Sequence, residues 1–230
     1  MRSSRGTRRF TGRFGSAVYE IVVIGTSWGG LNALSRVVAG LPATFALPLV
    51  VVQHRSPDVV GFLAELLQSH TSLSVVEVDD KHPIAAGHVY VAPANYHLLI
   101  EQGFFSLTTD APVRYSRPSI DVTFVSAADA YGRRTVGVVL TGANEDGALG
   151  LKRIADRGGY AIVQDPETAE GAAMPRAALR TVPKARVVPL DRIATVQEKQ
   201  LATLRGIRTP AVLFRPLARS VPQDPVAIPA

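Results

Sequence analysis

Glu20-Ile-Val-Val-Ile-Gly-Thr-Ser-Trp-Gly-Gly30 is the stretch on which the fold reading turns. Ile21 to Ile24 is an uninterrupted apolar run, the mark of a strand buried on both faces. It breaks into Gly25-Thr-Ser27-Trp-Gly29. From there to about Leu41 the apolar residues Leu31, Leu34, Val37, Val38 and Leu41 recur at helical spacing. A buried strand that passes through glycines straight into an amphipathic helix is how a parallel α/β layer begins.

Working outward, the same alternation repeats. Pro48–Gln53, Ser74–Val78, Thr135–Leu140, Tyr160–Val163 and Val187–Leu190 read as further strands. Asp58–His70, with Asp58 as cap, Ser119–Tyr131, capped by Ser119, Asp146–Arg157, Ala172–Leu179 and Ile193–Leu204 read as helices. Between 87 and 109 the runs shorten to His88–Ala92, His97–Ile100 and Phe104–Leu107, separated by Pro-Ala-Asn and Glu-Gln-Gly, which predicts a small antiparallel insertion. The expected fold is α/β: a doubly wound, mostly parallel sheet with helices on both faces and a small antiparallel hairpin insertion.

Composition narrows the function. With no cysteine among 230 residues, disulfides, cysteine nucleophiles and thiolate metal sites are excluded. The five histidines are scattered without the spacing of a helical zinc motif, so no metal is expected. Of the net charge of +6, residues 1–19 carry +5 through five arginines and residues 206–230 carry +2, leaving 20–205 at −1. The positive charge therefore sits in two solvated tails and not on a folded surface that reads nucleic acid. The expected division is a disordered basic arm (1–19), one catalytic domain (20–205) and a loose Pro/Arg-containing tail (206–230). No run approaches the roughly 18 apolar residues of a membrane span, and no secretory signal is present, so a cytoplasmic protein is expected.

Parallel α/β sheets bind ligands at the carboxyl ends of their strands. Three strand ends carry suggestive side chains: Ser27 after the first, His54 after the second, and Asp146 in Thr141-Gly-Ala-Asn-Glu-Asp146-Gly147 after the strand at 135–140. A hydroxyl, a base and an orienting carboxylate are what nucleophilic serine catalysis requires. Gly25-Thr-Ser27-Trp-Gly29 fits the Gly-x-Ser-x-Gly pattern of a nucleophile at a strand-to-helix turn, near helix N–H groups able to hold an oxyanion. A helix-capping serine in a phosphate loop is the alternative for Ser27. His54 could be a packed or capping histidine. Asp146 could be the N-cap of its own helix, and Asp165 and Asp121 are rival acids. Asp146 is expected on an exposed rim loop, dispensable for the fold.

Residues 20–205 resemble the catalytic domain of the chemotaxis protein-glutamate methylesterase. The resemblance is carried by Ile24-Gly-Thr-Ser-Trp-Gly-Gly30, Gln53-His54, Ala92-Pro93, Arg117-Pro-Ser-Ile-Asp-Val-Thr-Phe124, Leu140-Thr-Gly-Ala-Asn-Glu-Asp-Gly-Ala148 and Gly171-Ala-Ala-Met-Pro-Arg-Ala-Ala178. It implies that Ser27, His54 and Asp146 match the family triad, with Trp28, Ala143 and Arg117 as candidates for oxyanion or substrate binding. It implies hydrolysis of glutamyl methyl esters on the cytoplasmic helices of methyl-accepting chemoreceptors, often with deamidation of glutamine there, and no cofactor. Two further readings stay open: an esterase or amidase with another substrate, and a catalytically weak module that docks on receptor helices. The sequence departs from the family at Trp28, where threonine is usual, and at Ala143 and Asn144, where Met and Gly are usual. Known members carry a receiver domain ahead of the catalytic one. Only 19 residues precede the first strand here, which suggests a stand-alone form.

Overall fold

The computed structural model describes residues 19–55 and 62–195. All but the last residue of the expected arm, the whole expected tail, the Asp58 cap, and the helix at 193–204 beyond Thr195 lie outside these residues. Seven strands form one sheet: β1 (Ile21–Thr26), β2 (Leu49–Gln53), β3 (Ser74–Glu77), β4 (His88–Val91), β7 (Thr135–Val139), β8 (Tyr160–Gln164) and β9 (Arg186–Val188). Their spatial order is β3-β4-β2-β1-β7-β8-β9, and every pairing is parallel. Two further strands, β5 (His97–Ile100) and β6 (Phe105–Thr108), form a separate antiparallel hairpin.

The central strands are continuous apolar runs because both faces of the sheet are covered there. In β1, β2 and β7 every residue is buried. On one side α1 (Gly30–Ala39) and α2 (Phe62–Gln68) lie over a core of Val22, Ile24, Leu34, Val37, Val51 and Val138. On the other, α3 (Ile120–Tyr131), α4 (Ala148–Asp156) and α5 (Ala173–Thr181) cover Val23, Val52, Phe124, Leu151 and Met174. Full burial of side chains of this size stabilises by about 1.5–3 kcal/mol each, before the entropy of ordering the chain is set against it.

One expectation from the sequence is corrected. His88–Val91 does not belong to the antiparallel insertion; it is β4, paired parallel between β2 and β3. Val89 and Val91 point into the first core and Tyr90 into the second, each at most 1% exposed. Burial on both faces is the property of an interior strand, and four residues flanked by turns are too few to show it by pattern. The insertion is reduced to the β5–β6 hairpin.

The first described strand, β1, lies in the middle of the sheet; the chain then builds outward through β2 and returns to the other side of β1 at β7. The order therefore reverses between β1 and β7, and the crevice beyond their carboxyl ends is where a doubly wound sheet opens to a ligand.

Candidate active site

The carboxyl ends of the central strands carry a buried polar layer: Thr26, Gln53, Thr141 and Gln164, each at most 6% exposed. Apolar strands must stop somewhere, and these side chains satisfy the backbone where the ladder ends. Thr26 Oγ1 donates to the carbonyl of Thr141 at 2.8 Å, and the N–H of Thr141 donates to Gln164 Oε1 at 2.9 Å. Thr141 Oγ1 donates to the carbonyl of Trp28 at 2.8 Å and accepts from the N–H of Gly171 at 2.8 Å. The turn after β1 is thus tied to the turn after β7.

Gln53 does the same between β1 and β2. Its Nε2 donates to the carbonyl of Ser27 at 2.9 Å and to that of His54 at 2.8 Å. With the N–H of His54 on the carbonyl of Thr26 at 3.1 Å, the backbones carrying Ser27 and His54 are fixed side by side. Sequence reasoning treated Gln53 only as a neighbour of His54. The available signal was an amide side chain closing an otherwise apolar buried strand, a pattern that Gln164 repeats at the end of β8.

Ser27 is half-buried at the turn into α1, whose N-cap Gly29 has φ 76°. Only glycine takes that left-handed geometry at little cost, and it lets the turn be tight enough to expose the serine. The Ser27 hydroxyl makes no hydrogen bond to His54 in this structure. Among the described residues the backbone N–H groups of Trp28 and Ala143 have no acceptor, which leaves both available to a ligand. The Trp28 side chain stands 69% exposed at the mouth.

His54 Nε2 donates to Asp146 Oδ2 at 2.8 Å. Its other ring nitrogen, Nδ1, faces Asn144 Nδ2 at 3.3 Å and Ser116 Oγ at 3.4 Å. Asp146 is 0% exposed, which corrects the expectation of a dispensable rim residue. Nor does it cap its own helix α4 across the first turn. It serves the N-terminus of α3: Oδ2 accepts from the N–H of Ile120 at 2.7 Å, while Oδ1 accepts from the N–H of Asp121 and from Ser119 Oγ, both at 3.0 Å. Oδ1 also accepts from the N–H of Gly147 at 3.0 Å. Burial alone pushes the carboxyl up; the His54 bond, the N–H groups of Asp121 and Ile120 and the charge attraction of His54 outweigh it and hold the carboxyl below its ordinary value.

The approach of α3 to this point depends on Gly25. A Cβ there would lie 2.2 Å from Ile120 Cγ2, a distance no real contact allows. The glycine in β1 is therefore the slot that admits Ile120 and, with it, the N–H that binds Asp146.

The rival acids lie elsewhere in the network. Asp165 accepts from the N–H of Glu167 at 3.1 Å, capping a short turn. Asp121 sits behind Asp146, accepting from the N–H of Gly150 at 2.7 Å. Burial raises the Asp121 carboxyl above its ordinary value, Gly150 and Arg114 oppose this, and the neighbouring Asp146 charge adds to it. Arg117 has its guanidinium engaged by Asn95 Oδ1 and by the carbonyls of Thr109 and Asp110, so it ties the loop at 109–110 to the loop after β4. Ala143 is exposed at the rim. Among the described residues no group of three or more His, Asp or Glu is placed to hold a metal ion, and no helix is long and apolar enough to cross a membrane.

A doubly wound sheet whose switch point gathers a serine, a histidine and a buried carboxylate has the architecture of a hydrolytic α/β domain. The comparisons specify which. A family model described as CheB methylesterase matches residues 22–196. A putative protein-glutamate methylesterase/protein-glutamine glutaminase of Leptospira interrogans is 46% identical over 177 residues, covering 76% of this chain and 92% of that protein. A protein of the same kind from Carboxydothermus hydrogenoformans is 42% identical over 181 residues, but the match spans only 53% of its length. The crystal structure of the Thermotoga maritima CheB methylesterase catalytic domain superimposes with a TM-score of 0.76 at 34% identity, covering 79% of this chain and 98% of that one. The chain belongs to the CheB methylesterase family.

Proposed function

We propose that this chain is a protein-glutamate methylesterase, a serine hydrolase that removes methyl esters from glutamyl side chains and deamidates glutamine, acting on the cytoplasmic helices of methyl-accepting chemoreceptors. The observation that carries the reading is the 2.8 Å bond from His54 Nε2 to buried Asp146, on a ring whose backbone is clamped beside Ser27. The family and the named relatives supply the substrate class.

In the proposed reaction Ser27 Oγ attacks the ester carbonyl and His54 Nδ1 takes its proton. Asp146 keeps the other nitrogen protonated and faces the positive charge that develops on the ring. The oxyanion is received by the free N–H groups of Trp28 and Ala143. The tetrahedral intermediate collapses, the C–O bond to the methoxy group breaks, and the His54 proton leaves with it as methanol. Water, deprotonated by His54, then attacks the acyl-serine, releasing the glutamate carboxylate and restoring Ser27. With a glutamine substrate the same sequence releases ammonia.

The test is methanol release from a methylated receptor, alongside labelling by a fluorophosphonate probe. Both are expected in the native chain, and both should vanish in Ser27→Ala. Labelling without methanol release would point to a hydrolase with another substrate. Absence of both would leave a docking module.

A further inference from the structure

We propose that Asn144 is a positioning residue that keeps the lone pair of His54 Nδ1 free to act as base, Asp146 having fixed the proton on Nε2. The proposal rests on the reading of His54 as the base.

The orientation of the Asn144 amide follows from its neighbours. The N–H of Asp146 donates to Asn144 Oδ1 at 3.1 Å, so that end of the amide must be the oxygen. The end that faces His54 Nδ1 at 3.3 Å is therefore the NH2 group, which can only donate. A donor opposite Nδ1 requires a lone pair on it. On the far side of the ring, the Asp146 carboxylate can only accept, which requires a proton on Nε2. Two contacts thus demand the same neutral tautomer from opposite ends. Asp146 alone would be satisfied by either the neutral ring or the imidazolium. Asn144 distinguishes them, because a proton on Nδ1 would meet its own N–H head on.

Ser116 Oγ, 3.4 Å from the same nitrogen, does not share this role, since a hydroxyl rotates to donate or accept. The other charged groups near the ring are Asp121 behind Asp146, and Arg114, which pairs with Asp121 and Glu145. Arg55, the next residue along the chain, turns away to Glu77. None of them touches Nδ1.

The contact also fits turnover. At 3.3 Å it is longer than an ordinary N–H hydrogen bond, so the Ser27 hydroxyl can displace it at small cost. Once Nδ1 has taken the serine proton, the amide opposes its staying there and favours its passage to the leaving group. Asn144 never touches the reacting atoms; it acts through His54.

The test compares the native protein with Asn144→Asp and Asn144→Gly, by 15N NMR of the His54 ring and by the pH profile of esterase activity. Asn144→Asp keeps the oxygen that receives the Asp146 N–H but turns the other end into an acceptor. The expected result is a proton on Nδ1 near neutral pH, activity reduced about 100-fold, the lower range for loss of a general base, and recovery as the pH is raised. Asn144→Gly should leave the proton on Nε2, where Asp146 holds it, and give a smaller loss, in turnover more than in KM. A His54 ring signal and a pH profile that Asn144→Asp leaves identical to those of the native protein would overturn the proposal, whatever the change in rate. If the native protein released no methanol from receptor, the functional reading would fail while the tautomer measurement stood.

Discussion

Asp146→Asn exchanges one atom for another of nearly the same size, and the structure makes it a stability experiment as much as a catalytic one. The carboxylate is fully buried and accepts five hydrogen bonds, from His54 Nε2, Ser119 Oγ and the N–H groups of Ile120, Asp121 and Gly147. An amide has only one oxygen. Placed toward His54 and Ile120, it sets its NH2 against the N–H groups of Asp121 and Gly147. Turned over, it sets its NH2 against Ile120 and His54. Either way two buried donors lose their acceptor, at about 2 kcal/mol each, so the expected destabilisation is about 4 kcal/mol. For a domain of this size that lowers Tm by roughly 8–16 °C. Urea unfolding followed by circular dichroism measures it, and turnover on the folded fraction should fall by orders of magnitude because a neutral amide, in either orientation, no longer faces the positive charge that develops on the ring. A variant within about 1 kcal/mol of the native protein would refute the reasoning, since the carboxylate would then not be holding the end of α3.

The same carboxylate governs acid stability. Its folded pKa lies below the unfolded value of about 3.9, so its contribution is complete above that pH and is lost as the pH falls through the folded value. Stability should therefore drop below about pH 4, and this slope should flatten in Asp146→Asn. Asp121 has the opposite sign: its raised carboxyl weakens the fold as pH rises past the unfolded value, so Asp121→Asn, which keeps the oxygen facing Gly150, should be as stable as the native protein at about pH 7 or more so by thermal melting. In activity assays Asp165→Asn should stay within about threefold of native, against orders of magnitude for Asp146→Asn; a larger loss from Asp165→Asn would reverse the assignment. Gly25→Ala drives a methyl group into Ile120 and should destabilise by about 1–3 kcal/mol, with turnover of the folded fraction falling as Ile120 is pushed off Asp146.

The centre of the sheet was legible because β1, β2 and β7 are buried on both faces and so read as unbroken apolar runs, each followed by a helical period. β4 was misplaced for a reason of length: four residues among turn signals cannot reveal whether both faces are covered. Ser27, His54 and Asp146 could be picked out because a parallel sheet sends all its strand ends to one rim, so position in the chain translates into position in space. What the sequence did not carry is contact between elements remote in the chain. Nothing in Gln53 announces that its amide reaches the carbonyls of both Ser27 and His54. Nothing in Asp146 announces a partner helix beginning 26 residues before it. Arg117 stands in a motif block beside a capping serine, and only the folded chain shows its guanidinium tied to Asn95 and two carbonyls.

Asp146 joins the fold and the site in one group, and this explains where it has to be. A carboxylate that orients a histidine must be ionised and shielded from water, and burial works against ionisation. The start of a helix resolves the conflict, because N–H groups there have no partner within the helix and welcome a negative charge. The acid therefore leaves β7 beside β1, where α3, entering through the gap at Gly25, brings the N–H groups of Ile120 and Asp121 against it. The histidine can then be placed by an acid that is already held from behind. The resulting arrangement fixes the ring from the Asp146 side, and leaves the Nδ1 side, with Asn144 and Ser116 at long contact, as the part free to exchange partners in the proposed reaction.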